Sequence, residues 1–260
     1  MRTTTLNWKC RLLALLAMSL WPLTHANADI TTGLVDYWPL DEGSGPIAHD
    51  VVGGNNATIQ NFPPSQQVWV PGVTGDALNF TDSTNYVRTN SPISFNEYTI
   101  DFWLKVNGPG GTNPRLVGPA DGLYAWVILN SESARGVGFY YNHGASLLQD
   151  PNPPVPGVWE NYAVTIDLVA GSAAVYRNGN EVAAGAFHDN VPQLFWSFGH
   201  NQDPNNQLDG LNGQLDEIRI YDRVLSSSEI KQLVPEPSSL IVAAFGFVAL
   251  AVWGWRRPKH

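Results

Sequence analysis

Asp216-Glu217 is the best-suited acidic pair in this 260-residue chain, and paired carboxyl groups are the usual tools of glycosidic hydrolysis. That chemistry needs two carboxyls about 5 to 9.5 Å apart, flanking one scissile bond. Adjacent residues of a strand face opposite ways, so Asp216 and Glu217 cannot flank one bond if GQLDEIRIY (213–221) is extended. Gly43-Ser44-Gly45 reads as a loop and lacks the Gly-x-Ser-x-Gly spacing of a nucleophile elbow. His49, His143, His188 and His200 show no metal-ligand spacing. No catalytic residue is assigned, and a protein that is not an enzyme is the expectation.

Binding chemistry is better represented. A sugar ring offers apolar C–H patches edged by hydroxyls, which aromatic faces beside hydrogen-bonding groups complement. In GLYAWVIL (122–129), Tyr124 and Trp126 alternate with Ala125, Val127 and Leu129, so an aliphatic core side leaves both rings on the outer face. Tyr140, Tyr141, Asn142 and His143 complete such a patch. The competing role is core filling, because aromatic side chains are largely buried on average. Trp38, Phe102, Trp103 and Trp159 are read as packing. DVVGGNN (50–56) is a Gly-rich turn with a carboxylate at its start, a form that aims carbonyl oxygens at one point as a hard cation requires. An Asx turn held by backbone amides explains the same residues.

The elements that must position these groups read as all-β. Short alternating runs are separated by turns throughout, with 24 Gly and 19 Pro as punctuation. YTIDFWLKV (98–106) puts Tyr98, Ile100, Phe102, Leu104 and Val106 on one face, and Thr99, Asp101 and Lys105 on the other. Asn178-Gly179 between two strand patterns predicts a type I′ hairpin. One helix is signalled near 226–234, where Ser226 caps, Glu229 reaches back, and Ile230 and Leu233 dock on a sheet edge. About a dozen short strands in residues 29–233 predict one two-sheet sandwich domain.

Charge excludes some partners. Of 14 basic residues, three lie in 1–28 and three in 256–260, leaving eight in 29–237 against 23 acids, a formal −15. Nucleic acid is a poor partner for that surface.

The chain ends carry addresses. Arg2, Lys9 and Arg11, the apolar run 12–23 and the small residues Ala26 and Ala28 are the parts of a cleavable signal peptide over 1–28. Cleavage would remove Cys10, the only cysteine, so no disulfide framework is expected. Residues 234–260 hold Val-Pro-Glu-Pro, an uncharged run at 240–255 and a basic end, and positive-inside logic keeps that end cytoplasmic. Pro235, Glu236 and Pro237, followed by the apolar span and Arg256-Arg257, resemble the PEP-CTERM sorting signal of Gram-negative bacteria. The resemblance implies transport across the inner membrane and a transient anchor through a C-terminal transmembrane segment. An exosortase-type enzyme then removes the tail and releases the body to the cell surface or extracellular matrix. A plain anchor is the alternative.

The body carries a second resemblance. "GLVDYWPLDEGSGPIAHDVVGGNNATI" (33–59), "GDALNF" (75–80), "YTIDFWLKV" (98–106), "WENYAVTID" (159–167), "VYRNG" (175–179) and "LNGQLDEIRIYDRVLSSSEIKQL" (211–233) occur in the order of LamG-type, concanavalin A-like lectin/glucanase domains. The resemblance implies a two-sheet antiparallel jelly-roll sandwich that hosts sugar binders, protein binders and glycosidases alike. Glucanases of this superfamily carry a Glu-x-Asp-x-x-Glu strand, and GQLDEIRIY lacks the flanking glutamates. The family often places a calcium ion near the N-terminal strand, which implies Asp50 and Asp216 as side-chain ligands, with Gly53 and Asn55 supplying carbonyl or amide oxygens. The expectation is an exported protein that binds an extracellular polysaccharide, surface glycan or surface partner. A glycoside hydrolase of the same fold and a matrix component without a discrete ligand are the alternatives.

Overall fold

The alternation in 98–106 builds the middle of a sandwich. A computed structural model describes residues 29–63, 68–81, 84–108, 114–119, 126–129, 136–141, 146–187, 194–200 and 210–234. Its strands are β1 (Leu34–Trp38), β2 (Ile47–Ala48), β3 (Ala57–Gln60), β4 (Trp69–Pro71), β5 (Asp76–Phe80), β6 (Tyr86–Thr89), β7 (Glu97–Val106) and β8 (Arg115–Pro119). They continue as β9 (Trp126–Leu129), β10 (Val137–Tyr141), β11 (Ser146–Gln149), β12 (Glu160–Asp167), β13 (Ser172–Arg177), β14 (Asn180–Ala186), β15 (Trp196–Phe198) and β16 (Gly213–Tyr221). One helix, α1 (Ser227–Gln232), follows. Among the described residues no helix is long and apolar enough to cross a membrane. Residues 1–28 and 235–260, with the signal-cleavage and sorting motifs, lie outside the described residues.

Two antiparallel sheets form. The first runs β14-β13-β12-β7-β16-β5-β4, with β1 also on β16; the second runs β11-β10-β9-β8-β15-β6-β3-β2. Both are antiparallel, as expected of a jelly-roll sandwich. The predicted inner face of β7 is buried throughout, and it meets Val87, Val117, Val127, Phe139 and Phe198 of the second sheet in one core. Trp38 bridges the layers edge-on to Phe198, with ring centroids 5.1 Å apart. Each such side chain contributes about 1.5–3 kcal/mol by leaving water.

Local signals explain the connections. Asn178 and Gly179 both adopt positive φ (48° and 76°), as a type I′ turn demands, and join β13 to β14 with Arg177 opposite Asn180. Ser226 and Glu229 complete the reciprocal capping box at the start of α1. Ile230 and Leu233 are buried as predicted, against Ala163, Ala174, Tyr176 and Tyr221. The helix therefore reaches the edge strand β14, as expected, and extends over the outer face of the first sheet at β12, β13 and β16. The small side chains of Ala163 and Ala174 there pack in one buried cluster with Ile230 and Leu233 of the helix.

One end of the sandwich closes on charge. Arg177 at the end of β13 donates to Glu160 through Nε (3.0 Å) and to Asp150 through Nη1 (3.1 Å). It also reaches the Asn152 and Pro153 carbonyls, fastening the segment after β11 onto the first sheet. Trp103 and Trp159 differ from the packing role read in the sequence: both are only half-buried, and the Lys105 ammonium lies 4.9 Å from the Trp159 ring centroid.

Candidate functional site

The deep carboxylates are engaged with one another's partners. A bulge between Asp216 and Arg219 puts Glu217 at φ 54°, where the neighbour of β16 changes from β5 to β1. Asp216 and Glu217 consequently serve different surroundings, as alternation predicted. Glu217 accepts from the Tyr37 hydroxyl (2.7 Å) and pairs with Arg219, whose guanidinium stacks 4.5 Å over the Tyr37 ring. Arg219 also pairs with fully buried Asp101 (3.3 Å), which accepts from Asn161 Nδ2 at 2.7 Å. Burial lifts Asp101 to about 6 against the pull of Arg219, and burial with the Glu217 contact lifts Tyr37 to about 12. This network lies on the outer face of the first sheet, away from any described cleft.

Three of the four residues expected around calcium come together. Asp50 Oδ1 accepts from the backbone N–H groups of Tyr37 (2.8 Å), Val52 (2.9 Å) and Gly53 (3.0 Å), while Oδ2 accepts from Asn55 (2.8 Å). The Asn55 carbonyl accepts from Trp38 Nε1, and its side-chain oxygen accepts from Ser91 N–H. A Cβ at Gly53 would collide with the Val35 carbonyl, so only glycine lets this turn lie against β1. Asp36, 7% exposed, shares a hydrogen bond with Asp50; burial and that neighbour push its carboxyl to about 7, while the backbone donors hold Asp50 low.

Asp216 stands with a different loop. Its Oδ2 accepts from Val73 N–H (2.7 Å) and Thr74 N–H (3.4 Å) in the β4–β5 turn, and its Oδ1 is buried with no hydrogen-bond partner. Burial raises it to about 7. The structure thus separates Asp216 from Asp50, Gly53 and Asn55. Its orphaned oxygen fits a cation; the Asp50 turn, whose oxygens already accept donors, fits the Asx alternative.

An open cleft of about 220 Å³ lies on the outer face of the second sheet, lined by Thr58, Gln60, Arg88, Thr89, Asn90 and Phe195. The register pairs Thr58 with Arg88 and Gln60 with Tyr86, while Ile59 and Val87 face the core. Arg88 is exposed, and its guanidinium lies 4.2 Å from the Phe195 ring centroid. The Thr58 hydroxyl donates to Asn90 Oδ1 (3.0 Å). Thr89 is structural: its Oγ1 accepts from Trp196 N–H at 2.9 Å and donates to the Ser91 carbonyl.

The predicted aromatic patch lies farther along this sheet. Trp126 on β9 is the register partner of Tyr140 on β10, with Tyr141 next, paired to Ser146. Tyr124, Asn142 and His143 lie outside the described residues. Both faces of β9 are covered at Val127 and Ile128, which are 0% and 1% exposed. Sequence reasoning missed the cleft. The available signal was the polar alternation of ATIQ (57–60) and YVRT (86–89), with Arg88 one of the few cations of an acidic body.

The Laminin_G_3 family, described as the concanavalin A-like lectin/glucanases superfamily, matches residues 81–231. No curated protein matches the chain. Among solved structures, domain 4 of AbnA, a GH43 extracellular arabinanase from Geobacillus stearothermophilus in complex with arabinotriose, is 20% identical with a TM-score of 0.59. The match covers 78% of this chain and 98% of that domain. The binding domain of Paraclostridial Mosquitocidal Protein 1 is 16% identical (TM-score 0.59), over 79% of this chain and 52% of that one. The botulinum neurotoxin type G receptor binding domain is 13% identical (TM-score 0.54), over 77% and 50%. The chain spans about half the length of these last two, and at such identities the likeness is one of fold.

Proposed function

Because the chain belongs to the concanavalin A-like lectin/glucanases superfamily, we propose that it is an exported, non-enzymatic protein that binds an extracellular polysaccharide or surface glycan on the outer face of its second sheet. The cleft between β3, β6 and β15 carries this reading. It sets an aromatic ring and a guanidinium among amides and a hydroxyl on rigid strands, the combination a saccharide residue needs. The arabinotriose complex of the similar arabinanase domain supports a glycan as the ligand class. A hydrolase would need two carboxyls facing one cavity. Asp36 and Asp50, which share a hydrogen bond, are both buried, and both oxygens of Asp50 already accept backbone N–H groups.

Export follows from the signal read in 1–28, and release to the cell surface or matrix from the sorting motif at Pro235–Pro237 and Arg256-Arg257, acted on by an exosortase-type enzyme. A structural calcium ion belongs to this reading at Asp216, whose free oxygen lies against the β4–β5 turn. Such an ion would fasten that turn to β16 across the bulge.

Screening the purified full chain against a polysaccharide array, with product analysis of each hit, tests the proposal. Saturable binding without new reducing ends is expected. Product formation would replace it with the hydrolase, and absence of any glycan ligand would refute it.

A further inference from the structure

We infer that the cleft on β3 and β6 recognises an acidic saccharide, with Arg88 receiving an oxyanion carried by the sugar; this rests on the glycan-binding reading above and names its ligand class. Four observations converge. Arg88 is exposed, and among the described residues no carboxylate pairs with it, whereas Arg177, Arg219 and Arg223 all hold acids within 3.3 Å or closer. A cation without an acid partner among the described residues, in a region of formal −15, is poorly explained by fold stability, since acids to pair with it are abundant.

Its guanidinium is positioned. The guanidinium carbon lies 4.2 Å from the Phe195 centroid, a cation–π contact that holds the head group beside the ring at the mouth of the cleft. The planar fork of a guanidinium suits bidentate capture of a carboxylate and also serves a sulfate ester.

The remaining lining contains no Asp or Glu to repel an anion. Because Thr58 donates to Asn90 Oδ1, the Asn90 amide nitrogen keeps its hydrogens for a ligand. Gln60 adds a second amide on the same face.

Size selects one residue of a polymer. About 220 Å³ is smaller than the roughly 300–1,000 Å³ typical of pockets that enclose a whole small molecule, and the site opens along a sheet face over which a chain can continue. A sugar ring against Phe195 with its anion on Arg88 fits that volume.

The test measures binding of the full chain by calorimetry to polygalacturonate, to its methyl-esterified form, to dextran sulfate and to neutral dextran. The expected result is saturable binding of polygalacturonate and loss of at least tenfold in affinity on methyl esterification, which removes the charge and keeps the sugar. Arg88→Gln should lose at least tenfold and Arg88→Lys less, with unchanged melting temperatures because Arg88 is exposed. Binding of dextran sulfate in place of polygalacturonate would identify the oxyanion as a sulfate ester, within the same inference. Equal binding of the acid and its ester, or no effect of Arg88→Gln, would overturn it. A neutral glycan bound on this face would overturn the acidic specificity while leaving the glycan-binding function standing; no binding to any glycan would remove both.

Discussion

Asp36→Asn should make the protein more stable at neutral pH. The Asp36 carboxyl is buried against Asp50, which is already ionised by its four backbone donors, so the folded state keeps a proton on Asp36 and holds its pKa near 7 instead of 3.8. An acid whose folded pKa is raised contributes its full stability below the unfolded value and loses it as pH climbs to the folded value. A shift of about three units at about 1.36 kcal/mol each gives a ceiling of about 4 kcal/mol lost between roughly pH 4 and 7. Asparagine at 36 keeps a donor for Asp50 and cannot ionise. The variant should match wild type near pH 4.5 and exceed it by about 2–4 kcal/mol at pH 8. Urea unfolding at half-unit pH steps, in chelator, measures this. Asp216 and Asp101 titrate in the same direction and steepen both curves equally, so the difference between the curves isolates Asp36. Parallel curves would show that Asp36 and Asp50 do not share a proton.

Arg177→Met should cost about 3–5 kcal/mol by urea unfolding, because it strands buried Asp150 and Glu160 without their cation. Ser226→Ala should cost about 1 kcal/mol by removing one half of the capping box, measured in the same way. If Asp216 holds calcium, the ion should raise the melting temperature over chelator, by about 2.7 kcal/mol of stability at a hundredfold excess over its dissociation constant. That gain should shrink as pH falls through about 7, where Asp216 takes up a proton, and vanish in Asp216→Asn.

Periodicity revealed the scaffold because burial follows it: the inner face of β7, the 178–179 turn and the capping box are local signals that the tertiary structure keeps. The helix reaches the edge strand as its pattern suggests, but its extension over Ala163 and Ala174 is not legible, because local pattern gives a helix its apolar face and not the whole surface that receives it. Asp50 and Asp216 were grouped although nothing local tells a carboxylate satisfied by amides from one left with an orphaned oxygen. Arg88 and Phe195 are 107 positions apart, and only the adjacency of β6 and β15 brings them together.

The two outer faces explain why the proposed binding site falls on the second sheet. Helix α1 seals one part of the first sheet's outer face over Ala163, Ala174 and Tyr221. The Asp101–Arg219–Glu217–Tyr37 network fills the part beside it, with its charges matched internally. A ligand there would have to break buried ion pairs whose desolvated partners cost several kcal/mol to expose singly. On the second sheet Arg88 has no such commitment among the described residues, and strands β3 and β6 hold the cleft's backbone in a continuous ladder from Ala57↔Thr89 to Gln60↔Tyr86. An unmatched charge on a rigid surface gives up little rotamer freedom and breaks no internal bond when a ligand arrives. The proposed binding site thus leaves stability chemistry and recognition chemistry on opposite sides of one sandwich.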